Sequence, residues 1–416
     1  MASFSIPLSG LDATSEALNI ISNNLANMNT VGFKDQTANF QDLFYQNYGS
    51  DGSNDPIQVG IGTSLGSVAT NFSNGTLQNT GVDSNAAITG NGFFVTQAAG
   101  GGFLYTRAGD FTVNNAGELA TTGGQLVMGY PAVNGVINQG GGLSALEVGP
   151  GVSVPPTATT TMQQQTNLDA SSAVGSTYST TMAVYDSLGA THQLTFDYTM
   201  SAPNTWTYQV TLPAADTGGT GAPTVVASGT MNFDSNGNLT SPTGTIPINI
   251  TGLADGAANM SAAWSLTSPT GGSLITQVAS QSATASTNQN GYFSGTLQSY
   301  SILPDGTIQG QFSNQQTQAI GQIALASFAN NQGLQLAGGN SYQSTLASGA
   351  AVIGTPSSGA LGTITGGSVE LSNVDISTEF TNLIVVQRAF EADSRVVTTF
   401  DSVTSSTVNL QASPGN

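Results

Sequence analysis

The sequence predicts a mainly β protein with helical termini. Apolar residues at both ends recur at helical spacing, whereas the middle is written in short alternating runs closed by turn pairs. The expected architecture is a series of antiparallel β domains standing on an α-helical, coiled-coil-like terminal domain built from both chain ends.

At the N-terminal end, Leu11, Leu18, Ile21, Leu25 and Met28 form one helical stripe, with Thr14 on the same seam. Ser9 followed three residues later by Asp12 resembles a capping box, and Gly32 marks the stop. Near the other end, Ile376, Phe380, Leu383, Phe390 and Val397 share an a/d-type seam with the polar Gln387 and Ser394. Asp375 is placed to cap this helix, and Glu379 lies in its positive first turn. A helix from Ile376 to about Thr404 would be roughly 43 Å long and needs a partner along its length.

Between the ends, Asn74-Gly75, Asn91-Gly92, Asn236-Gly237, Asn290-Gly291 and Asp305-Gly306 punctuate strand-like segments. Pro155-Pro156 and the Gly/Ala/Ser/Thr-rich stretch after Ser280 bracket an inserted outer β domain over 150–285. The inner β domain is then 71–149 with 286–367, and the terminal helical assembly domain is 1–32 with 368–416. Residues 33–70, carrying Phe33, Phe40, Phe44 and Tyr48 ahead of Gly49-Ser50-Asp51-Gly52, read as an extended connector.

Charge narrows the partners. Four Lys and Arg stand against 23 Asp and Glu, a net charge of −19. No Lys or Arg occurs between Arg107 and Arg388, so there is no basic stripe to meet nucleic acid or an anionic leaflet. Without cysteine there is no disulfide framework and no thiolate metal site. No cleaved signal peptide is expected, and no stretch approaches the ~20 apolar residues of a membrane-spanning helix.

Motifs for chemistry are weak. His192 has no second histidine near it, and a structural role is expected. No G-x-S-x-G nucleophile elbow stands in an α/β pattern. Gly60 to Gly66 imitates a dinucleotide loop with one residue too many, and Asp234 to Asn238 has calcium-like spacing without a closing glutamate, so it reads as a hairpin turn. No catalytic, cofactor-binding or metal-ligating residue is assigned, and no enzyme is expected.

The terminal segments also match as words. Asn23-Asn24 with Asn27, Asn29, Thr30, Gly32, Phe33 and Lys34 resembles the Asn-rich signature of the bacterial flagellar rod and hook axial proteins. Asp375-Ile376-Ser377, Gln387-Arg388-Ala389-Phe390 and Ser394-Arg395-Val396-Val397 are similar to that family's closing helix. Tyr105-Thr106-Arg107-Ala108-Gly109-Asp110-Phe111 resembles its axial β domain, and Val184-Tyr185-Asp186-Ser187-Leu188-Gly189 with His192 resembles the hook branch. One departure is the tail after Leu410, where a basic residue would be expected.

The resemblance implies a structural subunit that polymerises into a flexible helical tube, a universal joint passing motor torque to the filament. The alternative is a distal-rod-type subunit of the basal body. It further implies an extracellular place in the hook and basal body after export through the flagellar type III channel. The implied partners are other copies of the chain, the distal rod protein, the hook cap protein, the hook–filament junction proteins and the export apparatus.

Overall fold

The computed structural model describes residues 5–50 and 56–411, with side chains omitted at Tyr48 and 409–411. Asp51 and Gly52 of the expected connector, the tail after Gln411 and the start before Ser5 lie outside the described residues.

Two helices frame a β-rich middle: α1, Ser5–Ala26, and α2, Ile376–Gln411. α1 begins earlier than Ser9, so the expected capping box is interior to the helix; the Ser9 hydroxyl donates to the Ile6 carbonyl instead. α1 also ends before Gly32, at Ala26. Asn27 there turns its side-chain amide back onto the Asn23 carbonyl, competing with the main-chain ladder. Asp375 caps α2 as expected, its Oδ1 accepting from the backbone N–H of Ser377 (2.8 Å) and Thr378 (3.0 Å).

The chain divides into two compact units, 1–149 with 300–310 and 318–416, and 150–299 with 311–317. In the first, strands Leu126–Val133, Phe93–Gln97, Phe103–Thr106, Ser341–Gln343 and Gln335–Gly338 pair successively in antiparallel order. Phe94 and Phe111 meet edge to face at 4.9 Å in its core. The 33–70 stretch is extended but paired: Gln36–Asp42 joins Thr63–Thr70, and Tyr45–Ser50 joins Pro56–Gly60, as nested antiparallel ladders. These satisfy the backbone groups that a bare connector would leave to water.

The second unit holds two five-stranded sheets. One is an antiparallel meander through Thr177–Tyr185, Thr191–Ala202, Thr205–Leu212, Thr224–Phe233 and Leu239–Ser241. The other centres on Thr161–Asp169, which pairs antiparallel with Ala283–Gln289 but parallel with Met260–Ser265 and Ile275–Val278. This mixed sheet departs from the purely antiparallel expectation, because turn pairs in sequence reveal hairpins and not crossovers. Along Thr191–Ala202 burial alternates, with His192, Leu194, Phe196, Tyr198 and Met200 all inward. Trp264 from the mixed sheet packs edge to face on Phe196 at 4.9 Å within the same core.

Candidate assembly surface

α1 and α2 run antiparallel in the first unit. A Cβ on Gly10 would come within 2.8 Å of Asp393 Oδ2, and Asn24 hydrogen-bonds Glu379. α1 buries Ala13, Ala17, Ile21 and Asn24, spaced four, four and three. The most covered side chains of α2 are Glu379, Leu383, Val386, Asp393, Ser394 and Val397.

The expected seams are therefore rotated relative to the contact within the chain. On α1, Ile21 is buried and Leu11, Leu18 and Leu25 are half-buried, while Met28 lies beyond the helix and is exposed. On α2, Leu383 and Val397 are half-buried, whereas Ile376, Phe380, Gln387 and Phe390 are exposed. Small side chains on α1 let the second helix settle close, and the apolar residues of α2 surround it too widely for periodicity to pick one face.

Much of α2 is left uncovered. Ile376, Phe380, Ile384, Val385, Val396, Val403 and Val408 are all exposed. At ~1.5 Å per residue α2 is about 54 Å long and α1 about 33 Å. With Gly10 level with Asp393, Ser5 is level with residue 398, so residues 399–411 run on past the described start of α1. Covering those seven side chains would contribute on the order of 5–10 kcal/mol per subunit.

The Asn-rich signature forms the joint below this helix pair. The Asn24 side chain donates to the Gln36 carbonyl (2.8 Å) and accepts from its N–H (3.0 Å), imitating a strand neighbour for Gln36–Asp42. Thr30 donates to the Asn27 side chain, and Asn29 is exposed. Gly32 adopts φ +67°, and a Cβ there would meet the Ala108 nitrogen at 2.5 Å, so both conformation and space require glycine. Phe33 is half-buried, and its carbonyl accepts from the N–H of Asn373.

Lys34 and Arg107 converge on Glu370, which has no exposed surface. Lys34 Nζ lies 2.6 Å from Glu370 Oε1 and Arg107 Nη1 3.3 Å from Oε2. Gly75 N–H donates to Oε1 (2.7 Å), Lys34 to the Ser73 carbonyl and Arg107 Nη2 to the Gly90 carbonyl. Burial pulls the Lys34 ammonium below its usual range, against the attraction of Glu370. Half of the chain's basic residues are thus spent on one carboxylate, tying the segment after α1 and the segment before α2 to the β domain. No sequence motif marked Glu370.

In the second unit His192 sits between acids from three segments. Nδ1 lies 3.0 Å from Asp216 Oδ2, and Nε2 lies 3.2 Å from Asp186 Oδ2 and 3.9 Å from Asp255 Oδ2. Burial alone would lower its pKa, but the hydrogen bonds to Asp216 and Asp186 outweigh it and hold the ring above its ordinary value. A protonated imidazole donates from both nitrogens and satisfies both carboxylates. The His192, Asp186 and Asp255 ligand atoms lie within 4.8 Å of one another, a spacing a cation could also share. Asp234 to Asn238 is a hairpin turn, with Asp234 Oδ1 accepting from the N–H groups of Asn236 and Asn238.

Four family models match along the chain: flagella basal body rod protein at 6–34, flagellar hook protein FlgE/F/G D1 domain at 87–166, flagellar basal body protein FlaE D2 domain at 155–292, and flagellar basal body rod FlgEFG protein C-terminal at 365–410. The flagellar hook protein FlgE of Salmonella typhimurium is 37% identical over 98% of this chain and 100% of its own length. The chain belongs to the flagellar hook protein family. The hook protein FlgE of Escherichia coli is 35% identical over the same shares, and that of Treponema pallidum 32% over 97% of this chain and 98% of its own. Within this family both helices, but for Ser5 and Gln411 at their outer ends, and the Asn-rich signature fall inside the matched terminal segments, and His192 falls inside the matched D2 domain. Among the described residues no helix is long and apolar enough to cross a membrane.

Proposed function

We propose that this chain is a structural subunit of the flagellar hook, polymerising through its helical ends into a flexible tube that acts as a universal joint between motor and filament. The observation that carries this reading is the uncovered α2: a 36-residue helix with exposed Ile376, Phe380, Ile384, Val385 and Val396, which its own chain covers on one face only. Neighbouring copies supply the missing cover, and apolar burial drives assembly. The exposed predicted residues Ile376, Phe380, Gln387 and Phe390 then face neighbours, and Leu11, Leu18, Ile21, Leu25, Leu383 and Val397 hold the helix pair that presents them.

In this reading 1–32 with 368–416 is the assembly domain, 71–149 with 286–367 the inner β domain and 150–285 the outer one. With no Lys or Arg from 108 to 387, the outer domain can make few salt bridges, and its hydroxyl and amide surfaces exchange weak wet contacts as the tube bends. The chain has no enzymatic role and works outside the cell in the hook, after export through the flagellar channel. Its partners there are further copies, the distal rod, the hook cap and the junction proteins. Full-length similarity to hook proteins weighs for this over the distal-rod reading. Electron microscopy of the purified, polymerised chain tests it: curved tubes are expected, and straight rigid rods would transfer the chain to the rod.

A further inference from the structure

The two basic residues not spent on Glu370 are Arg388 and Arg395, both on α2, both exposed, and without an ion pair among the described residues. Seven residues apart, they share one stripe of the helix about 10 Å long. That stripe is flanked by Phe380 and Ile384 on one side and Val385 and Val396 on the other, all exposed. Glu391 lies between the arginines and pairs with neither within 4.0 Å. A neighbour covering this apolar face must strip water from both guanidinium groups, which is costly unless carboxylates meet them.

The other helix offers such carboxylates. Asp12 and Glu16 are exposed on α1, one turn apart, in line with exposed Leu8. Their height matches. Gly10 is level with Asp393 and Asn24 with Glu379, so Glu16 stands level with Gln387 and Asp12 with Glu391, within or next to the span of the two arginines. Within one chain the two pairs do not meet; a second copy displaced sideways, with little axial shift, brings them together.

We propose that Arg388 and Arg395 of one subunit pair with Asp12 and Glu16 of the adjacent copy, setting which helix faces meet. At −19 per chain, copies repel. These arginines are the only exposed basic side chains among the described residues, so they select the one face on which a neighbour's acids are welcome. This rests on the assembly reading above.

The test is polymerisation of the full-length chain, followed by sedimentation and electron microscopy. Arg388→Glu with Arg395→Glu should raise the concentration needed for polymer at least tenfold, while circular dichroism of the monomer is unchanged. Adding Asp12→Arg and Glu16→Arg to that chain restores the net charge and should return polymerisation to within about threefold of the parent. Unimpaired assembly of the first variant, or no recovery in the four-residue variant, overturns the pairing while leaving the hook reading intact. A parent chain that forms no polymer overturns both.

Discussion

Glu370→Gln tests the joint on which the helical ends stand. The substitution keeps the shape of the side chain but removes its charge, leaving Lys34 and Arg107 buried without a counter-ion, 1% and 3% exposed respectively. Removing one partner of a buried pair costs about 3–5 kcal/mol, because the remaining charge stays out of water. The unit that contains it has 259 residues, the total of its three segments. At roughly 2–4 °C per kcal/mol for a body of that size, its melting temperature should fall by about 10 °C. Differential scanning calorimetry of the monomer reads this directly. A double-mutant cycle with Lys34→Met should return a coupling of about 2 kcal/mol, since losing the ammonium removes one of the two orphaned charges. A shift below about 2 °C, or strictly additive losses, would refute the claim that these three side chains act as one latch.

Three further outcomes follow from other sites. His192 has a raised pKa, so its stabilisation is fully present below its unfolded value near 6.5 and is lost as pH climbs through the folded value. Thermal melts from pH 5.5 to 9 should lose stability in the parent and show little slope in His192→Gln, which should be roughly 2–3 kcal/mol weaker at the acid end. Glu379 is buried, with Oε2 lacking a hydrogen-bond partner, and burial, together with nearby Asp35, raises its pKa despite the hydrogen bond from Asn24. Glu379→Gln should therefore stabilise the monomer by about 1 kcal/mol at neutral pH in urea unfolding, an advantage that vanishes as pH falls through the raised pKa. Gly32→Ala places a Cβ against the backbone of Arg107 and Ala108 at positive φ, and should cost roughly 2–4 kcal/mol by the same melts.

The fold class was legible because two periods differ so plainly. Helical spacing at both ends and the cap at Asp375 appear in the structure where the residues placed them, because a short acidic side chain before an apolar stripe has one good way to satisfy free N–H groups. Helix boundaries were less legible: Ser9 fits a cap pattern yet lies inside α1, and Met28 continues a stripe that the chain has already left. The face of α2 that meets α1 could not be read, since its apolar residues lie on several sides of the helix. The latch was half visible. Lys34 stood in the signature, but Glu370 lies 336 residues away and only the fold brings the two together. His192 did carry a signal: counting back by twos from Met200, Tyr198, Phe196 and Leu194 places it on the inward row, where a lone imidazole must find partners.

Hydrogen exchange tests the central claim most directly, that neighbouring copies cover the helical ends. Amides of α2 from Thr399 to Val408, beyond the span that α1 covers, should exchange freely in a verified monomer and slow by at least a hundredfold in the polymer, with the strands of 161–289 unchanged. Equal protection of α2 in monomer and polymer, or slowing confined to the strands, would contradict it.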